Sequence, residues 1–105
     1  MSTPSLTPAV FHILLALSDG PLHGYAIMQA VEASSGAAMG PGTVYGTLER
    51  LEASGLVKEM PGVRSDRRRV FALQPAGRQA LQDAARRLSR LATLVRAKKL
   101  VPRES

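Results

Sequence analysis

Four arginines crowd one short stretch of the chain: Arg64, Arg67, Arg68 and Arg69, within GVRSDRRRV. Guanidinium groups grip phosphate oxygens through paired N–H donors, so this cluster suits a polyanion. Just upstream, GPGTVYGTLERLEASG carries Thr43, Tyr45, Gly46, Thr47 and Arg50 at helical spacing. Small or hydrogen-bonding side chains of this kind let a helix enter a DNA major groove and read base edges. Gly40-Pro41-Gly42, which lacks bulk, leaves the amides at the start of that helix open to phosphate. Lys58 lies between the two sets. These ten residues (Thr43, Tyr45, Gly46, Thr47, Arg50, Lys58, Arg64, Arg67, Arg68 and Arg69) are the candidate contacts to double-stranded DNA.

Charge placement supports the same partner. All 14 Lys and Arg residues stand at or after Arg50, where 5 acids accompany them, a balance of +9. The first 49 residues hold only Asp19, Glu32 and Glu49 as charged groups, a balance of −3. A sequence pI near 10.8 makes polyanions the expected partners.

Other chemistries lack their residues. With 0 cysteines there is no disulfide, no thiol nucleophile and no cysteine zinc site. The 2 histidines, His12 and His23, sit in unlike settings, and no glycine-rich phosphate loop or paired-carboxylate pattern is present. An enzyme is therefore not expected, nor a cofactor or a metal. His12 reads as a core or interface histidine, and His23 as a turn or capping residue. Glu49 and Glu52 share a helix, but nothing in their setting suggests catalysis. The apolar run 8–17 is too short to span a bilayer and no basic residue precedes it, so a cytoplasmic protein without a membrane or secretory segment is expected.

The elements that must hold these groups follow from periodicity. At 105 residues one core is expected. Thr7-Pro8 starts a helix over 9–17 that is apolar on nearly every side, which implies burial against a second surface as well as the core. A second helix is predicted over 24–34 and a third over 41–54, with Val44, Leu48 and Leu51 as its buried stripe and Gly55 as its stop. Residues 56–60 and 69–73 read as the strands of a hairpin with the arginine run in its loop. Pro75 opens a last helix to about residue 99, with Leu81, Ala84, Ala85, Leu88, Leu91, Ala92 and Val95 spaced by threes and fours as a seam. A homodimer interface is accordingly expected at Val10, Phe11 and Leu14 of the first helix and at Leu81, Ala85, Leu88, Leu91 and Val95 of the last.

The predicted fold is mainly α with a small β-hairpin: a winged helix-turn-helix over 1–74, a C-terminal dimerisation helix over 75–99 in the same compact unit, and a tail over 100–105. Over nearly its full length the chain resembles the PadR family of bacterial transcriptional regulators. The resemblance rests on LTPAVFHILLAL (6–17), PLHGYAIMQAV (21–31), GPGTVYGTLERLEASGLV (40–57) and RRRVFALQPAGR (67–78), all four in order. It implies a homodimeric repressor whose third helix reads a palindromic operator and whose C-terminal helix packs on the other subunit. Gly46 and Thr47 stand where the family often has Pro-Ala, and Gln74 where threonine often caps the last helix. One short C-terminal helix marks the small subtype. Trp is absent, so the stacked tryptophans with which some small members hold flat aromatic drugs are missing here; any small-molecule effector is unknown. The competing reading is a protein-interaction module that uses the winged scaffold without specific DNA readout.

Overall fold

Thr7 and Pro8 start the first helix as their chemistry requires. In a computed structural model describing residues 6–61 and 69–102, α1 runs Pro8–Ala16. The Thr7 hydroxyl accepts the Val10 N–H at 3.2 Å, and Pro8 occupies a first-turn position where no N–H is needed. A short 3₁₀ turn, Leu17–Asp19, ends at Gly20, whose φ of 145° lies in the region that glycine reaches without strain. Helix α2 spans Gly24–Ser35, and the expected capping role of His23 is realised: its Nδ1 accepts the Ala26 N–H at 3.3 Å. Helix α3 spans Pro41–Ala53, with Gly55 in the left-handed conformation (φ 81°) just beyond its cap.

Leu22–His23 forms a strand, β1, that the sequence pattern did not announce. The wing strands are β2, Val57–Glu59, and β3, Val70–Leu73. Their order is β1-β3-β2, all antiparallel, with Leu22 opposite Phe71 and His23 opposite Val70 on one side. On the other, Val57, Lys58 and Glu59 face Leu73, Ala72 and Phe71. This sheet behind three helices is the winged helix-turn-helix.

The core is built from one stripe of each element: Ile13, Leu14 and Leu17; Ile27 and Val31; Val44, Leu48 and Leu51; Val57; Phe71; and Leu81. Two residues expected at a subunit interface belong here instead. Leu14 is 0% and Leu81 6% exposed, because the inward side of α1 and the first turns of α4 close this chain's own core.

Helix α4 spans Pro75–Ala97, 23 residues or about 34 Å at ~1.5 Å per residue. Gln74 precedes it without a side-chain cap, as its departure from threonine implied. The start of α4 lies hard against Leu56, the residue that leads into β2. The Gln74 N–H donates to the Leu56 carbonyl at 2.9 Å, and a Cβ on Gly77 would sit 2.1 Å from that same oxygen. Gly77→Ala is therefore expected to push α4 off the sheet and destabilise the fold by ~1–3 kcal/mol, beyond the ~1 kcal/mol that alanine gains in helix propensity. Urea denaturation at fixed protein concentration reads this as a lowered midpoint.

Candidate nucleic-acid interface

Helix α3 buries Val44, Leu48 and Leu51 and turns a different stripe outward. Thr43, Arg50 and Ala53 are exposed on it, with Gly46 partly so. A Cβ built on Gly40 or Gly42 would meet nothing within 4 Å, and one on Gly46 would meet only an Arg50 guanidinium nitrogen at 3.9 Å. The outer side of α3 is thus low enough for its backbone to approach another surface closely.

Thr47 is not on that side. It is 4% exposed, on the buried stripe between Val44 and Leu51, and its hydroxyl accepts a hydrogen bond from Arg50 Nη2 at 3.2 Å. The threonine methyl suits the core, while its oxygen holds the Arg50 side chain along the helix. Tyr45 is likewise drawn inward. Its phenol lies where a Cβ on Gly24 would stand 2.1 Å from the hydroxyl oxygen, and its ring is tilted 57° to that of Phe71 at 6.2 Å. Glycine at the start of α2 is what makes room for it.

On the wing, Lys58 is exposed on β2. Arg69, at the base of the wing, is not a free cation. Its Nε and Nη2 donate to the two carboxylate oxygens of Glu59 at 3.1 and 3.0 Å, and Nη1 lies 3.7 Å from Glu49. Its guanidinium carbon is 5.2 Å from the ring centroids of both Tyr45 and Phe71. The hydrogen bond to Glu59 raises the Arg69 pKa above its ordinary value, outweighing the opposite effect of desolvation. Arg64, Arg67 and Arg68 lie outside the described residues.

Sequence reasoning missed the acids that organise this region. Glu52 of α3 accepts the Glu59 backbone N–H at 3.0 Å, so Glu49, Glu52 and Glu59 all converge at the base of the wing. Opposite charges on either side of the hairpin loop, Glu59 before it and Arg69 after it, were the available signal. Among the described residues no group of His, Cys, Asp and Glu is arranged to hold a metal ion, and no helix is long and apolar enough to cross a membrane.

Elsewhere on the molecule, α1 and α4 line an apolar groove of about 430 Å³ formed by Leu6, Pro8, Phe11, His12, Ala84, Arg87, Leu88 and Leu91. His12 Nδ1 is hydrogen-bonded to Ser34 Oγ at 2.7 Å, tying α1 to α2 beneath it. Leu88, Leu91 and Leu94 are 54%, 58% and 51% exposed, and Leu15 of α1 is 40% exposed.

The chain matches the model of the transcriptional regulator PadR-like family over residues 13–83. It is 52% identical over 79 residues to an uncharacterized 37.1 kDa protein in transposon TN4556 of Streptomyces fradiae, a match that covers 75% of this chain but only 22% of that protein. It is 44% identical over 82 residues to the transcriptional regulator Rv3488 of Mycobacterium tuberculosis, covering 77% of this chain and 76% of the other. Among solved structures, Bacillus subtilis PadR in complex with operator DNA superposes with a TM-score of 0.61 at 23% identity, over 70% of this chain and 44% of that one. That likeness is one of fold.

Proposed function

The chain belongs to the PadR-like family of transcriptional regulators, and from that premise we propose that it is a homodimeric repressor that binds a palindromic DNA operator. The observation that carries this reading is the outer side of α3. A low, hydroxyl- and glycine-bearing surface with one well-held arginine fits a major groove, and Lys58 stands on the strand beside it. The fold that the chain shares with a PadR bound to operator DNA supports the DNA-binding reading.

In this reading Thr43, Gly46 and Arg50 face base edges, and the N–H groups of Gly42 and Thr43 in the first turn of α3 face phosphate. Thr47 acts through Arg50, whose guanidinium it orients. Lys58 and the wing residues Arg64, Arg67 and Arg68 supply phosphate contacts that set affinity and its salt dependence. Two copies pair through the exposed side of α4 and the outer side of α1, with Phe11, Ala85, Leu88, Leu91 and Val95 at the seam and Val10 beside it. Two-fold pairing sets the α3 helices about one DNA turn apart, ~10 base pairs centre to centre. Repression follows from occupying a promoter.

Selection of bound sequences from a random duplex pool tests the proposal. Anisotropy titrations of the selected and a scrambled duplex should diverge across a salt series, whereas equal affinities would overturn it. Arg50→Ala should lose ~1–3 kcal/mol of affinity and relax base preference at one position in each half-site, leaving the rest of the preferred sequence intact.

A further inference from the structure

Three carboxylates beside a surface meant for a polyanion call for a physical reason, because each one repels phosphate. Glu49 and Glu52 project from α3 one helical turn apart, and each reaches toward the base of the wing. Glu52 takes the backbone N–H of Glu59 at 3.0 Å. The Glu59 side chain then takes both fork donors of Arg69, at 3.1 and 3.0 Å, while Glu49 stands 3.7 Å from the third guanidinium nitrogen. The Arg69 plane lies against Tyr45 of α3 and Phe71 of β3, with its carbon 5.2 Å from each ring centroid. The Arg69 carbonyl accepts the Gly24 N–H at 3.2 Å, so the same residue also holds the start of α2.

We propose that Glu49, Glu52, Glu59 and Arg69 form a latch that fixes the wing at one angle to the reading helix, and that Arg69 is a positioning residue rather than a phosphate contact. The proposal rests on the DNA-binding reading of α3 for its purpose. For Arg69 to reach phosphate, a bidentate carboxylate pair and contacts with two rings would have to break. Its charge is already answered by two acids, so it adds little to the attraction of DNA. What it adds is direction: a rigid guanidinium fork sets the β-hairpin against α3, so that wing and helix reach their parts of one duplex together. Each of the three acids is tied into this geometry.

The latch predicts effects that net charge alone does not. Arg69→Lys keeps the charge but loses the fork and the planar contact, and should weaken binding to the selected duplex about tenfold. Glu59→Gln removes a negative charge near DNA, yet should also weaken binding. In both, the slope of log affinity against log salt should match wild type, because no phosphate contact is lost. A true phosphate contact would behave otherwise: Arg69→Lys would bind normally, and Arg69→Gln would reduce the slope by ~0.9. Either of those results, or tighter binding by Glu59→Gln, overturns the proposal.

Hydrogen exchange gives an arm that needs no DNA. The Met60 N–H, which donates to Val70 at 2.7 Å, and the Gly24 N–H should exchange faster in Arg69→Lys and Glu59→Gln, with the amides of α1 unchanged. Unchanged exchange at Met60 and Gly24 refutes the latch. If the wild-type protein selects no duplex at all, the proposed function fails while this arm still decides the latch.

Discussion

Replacing Leu88 and Leu91 together with aspartate should leave a folded monomer that no longer holds its operator tightly. In the single chain both leucines are more than half exposed, so the substitution takes almost nothing from the core built on Phe71, Ile13 and Leu48. Between two copies the same side chains would be buried. Each leucine withdrawn from water contributes ~1.5–3 kcal/mol, and two-fold symmetry counts every substitution twice. Aspartate adds the cost of desolvating a carboxylate with no partner. The dimer dissociation constant should therefore rise by at least ~10³-fold. Loss of the second reading helix then removes the high effective concentration that a paired half-site supplies, typically ~10²–10⁴-fold in overall affinity. Sedimentation velocity reads the first effect and anisotropy the second. A dimer that persists would mean that the seam lies elsewhere.

The second large effect is expected at Phe71. It is 0% exposed and lies on the middle strand of the sheet, opposite Leu22 of β1 and Glu59 of β2. Its ring also forms one side of the Arg69 site. Phe71→Ala should cost ~3–5 kcal/mol, because the surrounding helices cannot collapse fully into the space left behind. Against the ~5–15 kcal/mol that a domain of this kind holds in reserve, that is a large share. Urea unfolding at one protomer concentration should show a lower midpoint with an unchanged slope, since the surface exposed on unfolding is nearly the same. DNA binding should fail at temperatures well below the wild-type limit.

The helices were legible from sequence because their signals are local. Thr7-Pro8, Gly55 and the Val44–Leu48–Leu51 spacing each act within a few residues, and the structure places helix starts and stops close to the expected positions. Strand β1 was not legible. Two residues between Pro21 and Gly24 carry no alternation, and Leu22–His23 is extended because β3 is there to pair with it. Thr47 could have been placed correctly, since it lies three residues after Val44 and four before Leu51. Its hydroxyl suggested an outward side chain, yet a buried hydroxyl is tolerated where a neighbour such as Arg50 satisfies it. Arg69 was grouped with its three neighbours in the run. Only the hairpin register, which brings Glu59 alongside it, separates its task from theirs. Leu14 and Leu81 matched the periodic pattern of an outer seam, but periodicity does not say which side of a helix that is apolar on several sides faces its own core, and both belong to the core cluster.

The sheet order also bears on how the molecule is made. Strand β3 lies between β1 and β2 although it is the last of the three to leave the ribosome. Until it emerges, the two earlier strands have no neighbour to bond, and His23 must wait for Val70, 47 positions later. Contacts of that span close late and slowly. A nascent chain stalled before Val70 would present three helices with an open flank, the state in which a holding chaperone or a protease finds its best opportunity.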